Sequence, residues 1–96
     1  MLSREDFMFT IGYDGPVAVV DGQAKKTYGH FSTGELARIG LFRAAYCSAL
    51  RSKKQEEMEE VVAAYNASAG TSYGLDNPFS RLFGVIEVDA KRCIVL

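Results

Sequence analysis

The chain has 96 residues, 48% of them apolar and 24% charged, with a net charge of −1. These values fit one folded domain of 96 residues and exclude whole-chain disorder. They also argue against a nucleic-acid partner, because binding to phosphates needs a basic surface and the basic residues here run only in pairs, Lys25-Lys26, Lys53-Lys54 and Lys91-Arg92.

The first third reads as strands. Phe7, Phe9 and Ile11 alternate with Met8 and Thr10, which is the two-residue period of a half-buried strand. Asp14-Gly15 signals a type I′ hairpin turn. Pro16 then opens a second strand over Val17–Val20. Asp21-Gly22 signals another turn, and a third strand over Ala24–Tyr28 would suit a lysine-guarded edge.

Ser32 and Glu35 form a capping box, with Phe31 and Leu36 placed as a hydrophobic staple. They predict a helix over 33–51. Its wheel carries two stripes: Leu36, Ile39, Phe42, Tyr46 and Leu50 are bulky, while Ala37, Gly40, Ala44 and Ser48 are small. A helix with two apolar faces must be covered from two sides. A second helix over 53–69 follows from Met58, Val61, Val62, Tyr65 and Ala69, with glutamates in its first turns and Gly70 as its stop. One continuous rod would outrun a compact domain of this size, so a break near Ser52 is expected, capped by Ser52 with Gln55. Asn77-Pro78 opens a short helical turn closed by Gly84, with Phe79, Leu82 and Phe83 facing inward. Val85–Val88 and Cys93–Leu96 read as a final hairpin turning at 89–92.

Strands, then helices, then strands predict a single α+β domain. Its sheet would be antiparallel with four or five strands, an N-terminal hairpin or meander plus a C-terminal hairpin, carrying two main helices and one short helical turn.

The chemistry is sparse. His30 is the sole histidine, and Cys47 and Cys93 are widely spaced, so zinc spacing is lacking and no metal or other cofactor is expected. Both cysteines read as buried thiols of a reducing compartment. Cys47 would stand roughly 22 Å along a helix from its start, too far for His30 to serve it as a base; His30 with Cys93 stays open. The last four residues, Cys93-Ile94-Val95-Leu96, fit a prenylation pattern but read better as a buried strand. The acidic and basic residues of the first ten positions, Arg4, Glu5 and Asp6, differ from a secretory leader, and no apolar run is long enough to span a bilayer. The expectation is a cytoplasmic, non-catalytic interaction domain without a membrane partner. It would bind a protein partner or itself, as a homodimer, through apolar helix and strand surface. The competing expectation is a small-ligand or substrate site lined by Tyr13, Tyr28, His30 and Tyr73, since tyrosines beside loop glycines offer broad amphipathic contact.

Overall fold

A computed structural model describes residues 2–86 and 90–96. Its elements are α1 (Arg4–Met8), β1 (Thr10–Asp14), β2 (Val17–Val20), α2 (Gly22–Tyr28), α3 (Thr33–Arg38), α4 (Phe42–Ser52), α5 (Gln55–Ala69), α6 (Phe79–Phe83) and β3 (Arg92–Val95). The α+β class is as expected, but the sheet is not the antiparallel one of four or five strands. Among the described residues it has three strands in the order β1-β2-β3, antiparallel between β1 and β2 and parallel between β2 and β3. The chain divides into two compact units, Met1–His30 with Ile86–Leu96, and Phe31–Val85.

In the first unit, the expected strand over Phe7–Ile11 starts later than its alternation suggests. Ser3 Oγ accepts a bond from the Asp6 N–H at 3.1 Å, and Glu5 and Asp6 sit in the first turn. That cap, with acids at the positive end of the helix, makes residues 4–8 helical. The hairpin then turns at Gly15-Pro16, one residue later than expected, with Asp14 opposite Val17. Gly15 has φ +58° while proline holds φ near −65°. Positive φ at the first central residue alone is the II′ pattern, not I′. The register slips between Thr10 and Gly12, and Ile11, inside the slip, is 62% exposed. Ala18 and Val20 are fully buried, and Phe7 and Met8 are also core.

The expected third strand over Ala24–Tyr28 is helix α2. Asp21 Oδ1 accepts from the Ala24 N–H at 3.1 Å, and Gln23, Ala24, Lys25 and Lys26 all favour helix. Gly22 permits a close approach: a Cβ there would overlap the Leu96 carbonyl oxygen and lie 2.8 Å from Val95 Cγ1. β3 therefore ends against the start of α2.

The C-terminal hairpin is replaced by a parallel pairing, with Val17 opposite Arg92 and Val20 opposite Val95. Parallel neighbours need a crossover rather than a tight turn, and here the crossover contains the whole sequence of the second unit. Val85 and Ile86 are not strand; Glu87, Val88 and the turn residue Asp89 lie outside the described residues. All four residues of β3 are exposed, as is Leu96, so the last segment is a strand but not a buried one. Cys93 is exposed and only Cys47 is buried. Its apolar character suggests burial; its place at the sheet edge overrides that.

In the second unit the capping box of α3 forms as expected. Ser32 Oγ accepts from the Glu35 N–H at 3.2 Å, and Glu35 Oε1 accepts from the Ser32 N–H at 3.0 Å. The helix expected over 33–51 is nevertheless two. Gly40 adopts φ +86°, the Leu41 N–H returns to the Leu36 carbonyl at 3.0 Å and the Gly40 N–H to Ala37 at 3.2 Å. Gly40, read as a small packing residue, is a helix terminator. The need for cover on two sides survives in α4 alone. Ala44, Ala45, Tyr46, Cys47, Ser48 and Ala49 are all buried, and α3, α4 and α5 touch pairwise. Small side chains let both neighbours approach α4 closely.

The break expected near Ser52 is present: Lys53 has φ 59° and α5 begins at Gln55. Ser52 does not cap α5, however; its hydroxyl donates to the Ala49 carbonyl at 3.1 Å, and Gln55 Nε2 donates to Glu59. Gly70 and Gly84 end α5 and α6 with φ +68° each, as expected. Of the three α6 residues expected inside, Phe79 is buried, Phe83 half-buried and Leu82 exposed.

Candidate functional site

Each unit carries a cluster of side chains with chemistry to offer. In the first, α1, α2 and β3 bring together a carboxylate, an ammonium and a thiol. Lys25 Nζ stands 2.7 Å from Asp6 Oδ1, and the Cys93 thiol donates to Asp6 Oδ2 at 3.6 Å. Burial works to raise the Asp6 pKa, but the Lys25 and Ser3 hydrogen bonds and the Lys25 charge outweigh it and hold the carboxyl below its ordinary value. The bond to Asp6 works in the opposite sense on Lys25 and holds it above its ordinary value. The thiol is thus tied to Asp6 rather than to His30. The cluster pins the strand to the two helices and leaves the far side of β3 open.

That far side is an unpaired sheet edge among the described residues. Ile94, Val95 and Leu96 are 54%, 49% and 72% exposed. The Leu96 N–H donates inward to the Val20 carbonyl at 3.0 Å. N–H groups alternate along a strand, so those of Cys93 and Val95 point away from β2.

In the second unit, α4, α5, α6 and the segment after α5 assemble an aromatic cluster. Tyr65 meets Phe42 and Phe83 edge-on, both at 5.3 Å, and stacks with Tyr73 at 6.1 Å. Phe79 packs between Tyr73 and Phe83, at 5.8 Å from each. Tyr46 joins Phe83 at 5.5 Å and shares a 2.8 Å hydrogen bond with Ser80. Edge-on and offset pairs of this kind add to plain burial. Asn66 fixes the segment that delivers Tyr73. Its Nδ2 donates to the Tyr73 carbonyl at 2.9 Å, while its Oδ1 accepts from the Tyr73 N–H at 3.0 Å and the Thr71 hydroxyl at 2.8 Å. Beside the cluster lies a cavity of about 260 Å³ lined by Tyr73, Asn77, Pro78, Phe79, Arg81 and Leu82.

Of the four residues expected to line a ligand site, Tyr13, Tyr28 and His30 belong to the first unit and Tyr73 to the second. The Tyr13 hydroxyl donates to the Ile86 carbonyl at 3.1 Å. The Tyr28 ring lies 6.5 Å from Phe9, and His30 is exposed. Tyr73 is the one of the four that lines the cavity just described. Of the others on that wall, Asn77 and Pro78 read as a helix start and Phe79 and Leu82 as core, while nothing in the sequence singles out Arg81; the signal that links them is the density of aromatic residues from 73 to 83. Among the described residues, no group of three or more His, Cys, Asp or Glu could hold a metal ion, and no helix is long and apolar enough to cross a membrane. No protein-family model, curated protein or solved structure matches the chain, so the geometry alone carries the functional argument.

Proposed function

We propose that this chain is a cytoplasmic, non-catalytic interaction module that forms a homodimer through the outer edge of β3. The observation that supports it is the edge itself: a strand exposed along its whole length, apolar at Ile94, Val95 and Leu96, with outward N–H groups and no neighbour on that side among the described residues. Unpaired apolar edges tend to pair, and twofold pairing is the commonest closed solution. Two copies meeting antiparallel at β3 would merge two three-stranded sheets into one of six.

Val95→Pro tests this reading without touching the bonds to β2. Proline is tolerated on an edge strand where its missing N–H would face outward. Sedimentation equilibrium of the wild type should give about twice the 10.5 kDa chain mass at high micromolar concentration, and Val95→Pro should give a single chain with unchanged far-UV circular dichroism. A wild-type mass of one chain, or a proline variant that still dimerises, would remove the edge from consideration.

A further inference from the structure

We infer that the cavity beside α6 binds a small aromatic carboxylate. The inference is independent of the β3 edge and uses only residues of the second unit. The lining is mostly apolar: Tyr73, Pro78 and Phe79 contribute to it, with Leu82, which is 44% exposed. Buried Phe79 is wedged between Tyr73 and Phe83, and Asn66 holds the Tyr73 backbone from both its N–H and its carbonyl. The site is therefore largely built before a ligand arrives, as small-molecule sites usually are.

Each polar side chain at this cavity has a donor to offer. Among the described residues, the Arg81 guanidinium meets no carboxylate and no acceptor. Asn77 spends its Oδ1 on the Gly74 N–H at 2.7 Å, which leaves its Nδ2 hydrogens available. The nearest acid in sequence, Asp76, does not line the cavity; its Oδ1 lies 3.0 Å from where a Gly74 Cβ would stand. A planar ring between aromatic walls and an anion at the rim would satisfy both features, and the Arg fork suits a carboxylate because it can donate two parallel bonds. The cavity of about 260 Å³ has room for a single-ring carboxylate such as benzoate.

The experiment is a titration of the full chain with benzoate, followed by amide chemical shifts. Benzyl alcohol serves as the neutral ligand and Arg81→Ala as the variant. The expected result is saturable shifts confined to residues 73–83. The affinity should fall about tenfold or more for benzyl alcohol, and by a similar factor for Arg81→Ala. Arg81 is exposed, so the variant should keep the wild-type spectrum elsewhere; the benzyl alcohol arm needs no variant at all. Failure to saturate by about 10 mM, shifts centred on other residues, or benzyl alcohol binding as tightly as benzoate would overturn the inference.

Discussion

Thr33→Val should cost the second unit about 2 kcal/mol, because one hydroxyl ties three helices together. Thr33 Oγ1 lies 2.6 Å from Ser48 Oγ in α4 and 2.5 Å from Glu57 Oε1 in α5. An ionised carboxylate only accepts, so Thr33 donates to Glu57 and the Ser48 hydroxyl donates to Thr33. Valine keeps the branched shape and removes both bonds. A bond to a charged group contributes about 1.5–3 kcal/mol and a neutral one about 0.5–1.5 kcal/mol. Thr33 and Ser48 are buried but Glu57 is half-buried, so solvent screening draws the total towards about 2 kcal/mol. For a chain of this size that lowers the melting temperature by about 8–16 °C. Thr33→Ser is the control: it keeps both bonds and loses one methyl, about 0.8 kcal/mol. Urea unfolding followed by tyrosine fluorescence reads the difference, since the chain has no tryptophan and Tyr46, Tyr65 and Tyr73 lie in this unit. Combining Thr33→Val with Ser48→Ala should cost less than the sum of the two changes, because they share a bond. A valine variant as stable as the serine variant would refute the argument.

Two further outcomes concern the first unit. The Asp6–Lys25 pair should make stability fall at both ends of the pH scale. A carboxyl held below its ordinary value contributes stability above about pH 4 and loses it as pH falls through the folded value; an ammonium held above its ordinary value contributes below about pH 10.4 and loses it as pH rises through the folded value. The urea midpoint of Asp6→Asn should lie below that of the wild type by a constant amount from about pH 5 to 9, and the gap should close outside that window; a gap that ignores pH would contradict the pairing. Gly22→Ala should destabilise by about 1–3 kcal/mol, since overpacking against backbone outweighs the gain of at most about 1 kcal/mol in helix propensity. Hydrogen exchange should show the Leu96 amide losing protection, and a variant that keeps that protection would refute the contact.

The parts of the fold that could be read from the sequence are those fixed by neighbours in sequence. The Ser32–Glu35 box and the stops at Gly70 and Gly84 each depend on a few adjacent residues, whereas the break after Ser52 follows from the length limit on a continuous helix and the local Ser52–Gln55 cap does not form. The caps at Ser3 and Asp21 were equally local, but the alternation of Phe7, Phe9 and Ile11 and the pair Asp21-Gly22 suggested strand and turn instead. Gly40 could serve a packing stripe or a positive φ, and only the three-dimensional path separates these. The pairing of β3 was not legible, because nothing near residues 92–95 says that their partner is Val17–Val20. The aromatic cavity was missed for the same reason: Tyr73 was grouped with tyrosines near the start of the chain, while its actual neighbours come from α5 and α6.

The parallel placement of β3 on β2 also sets an order of assembly. Seventy-one residues separate Val20 from Arg92, and closing so long a flexible loop costs roughly 4 kcal/mol in chain entropy. Phe31–Val85 is contiguous in sequence, and its helix–helix contacts span shorter stretches of chain than the β2–β3 pairing does, so it can condense before the last strand docks. Once it has done so, most of that loop is already ordered and the strand has a shorter search. The first unit should then be completed last, by docking its final strand.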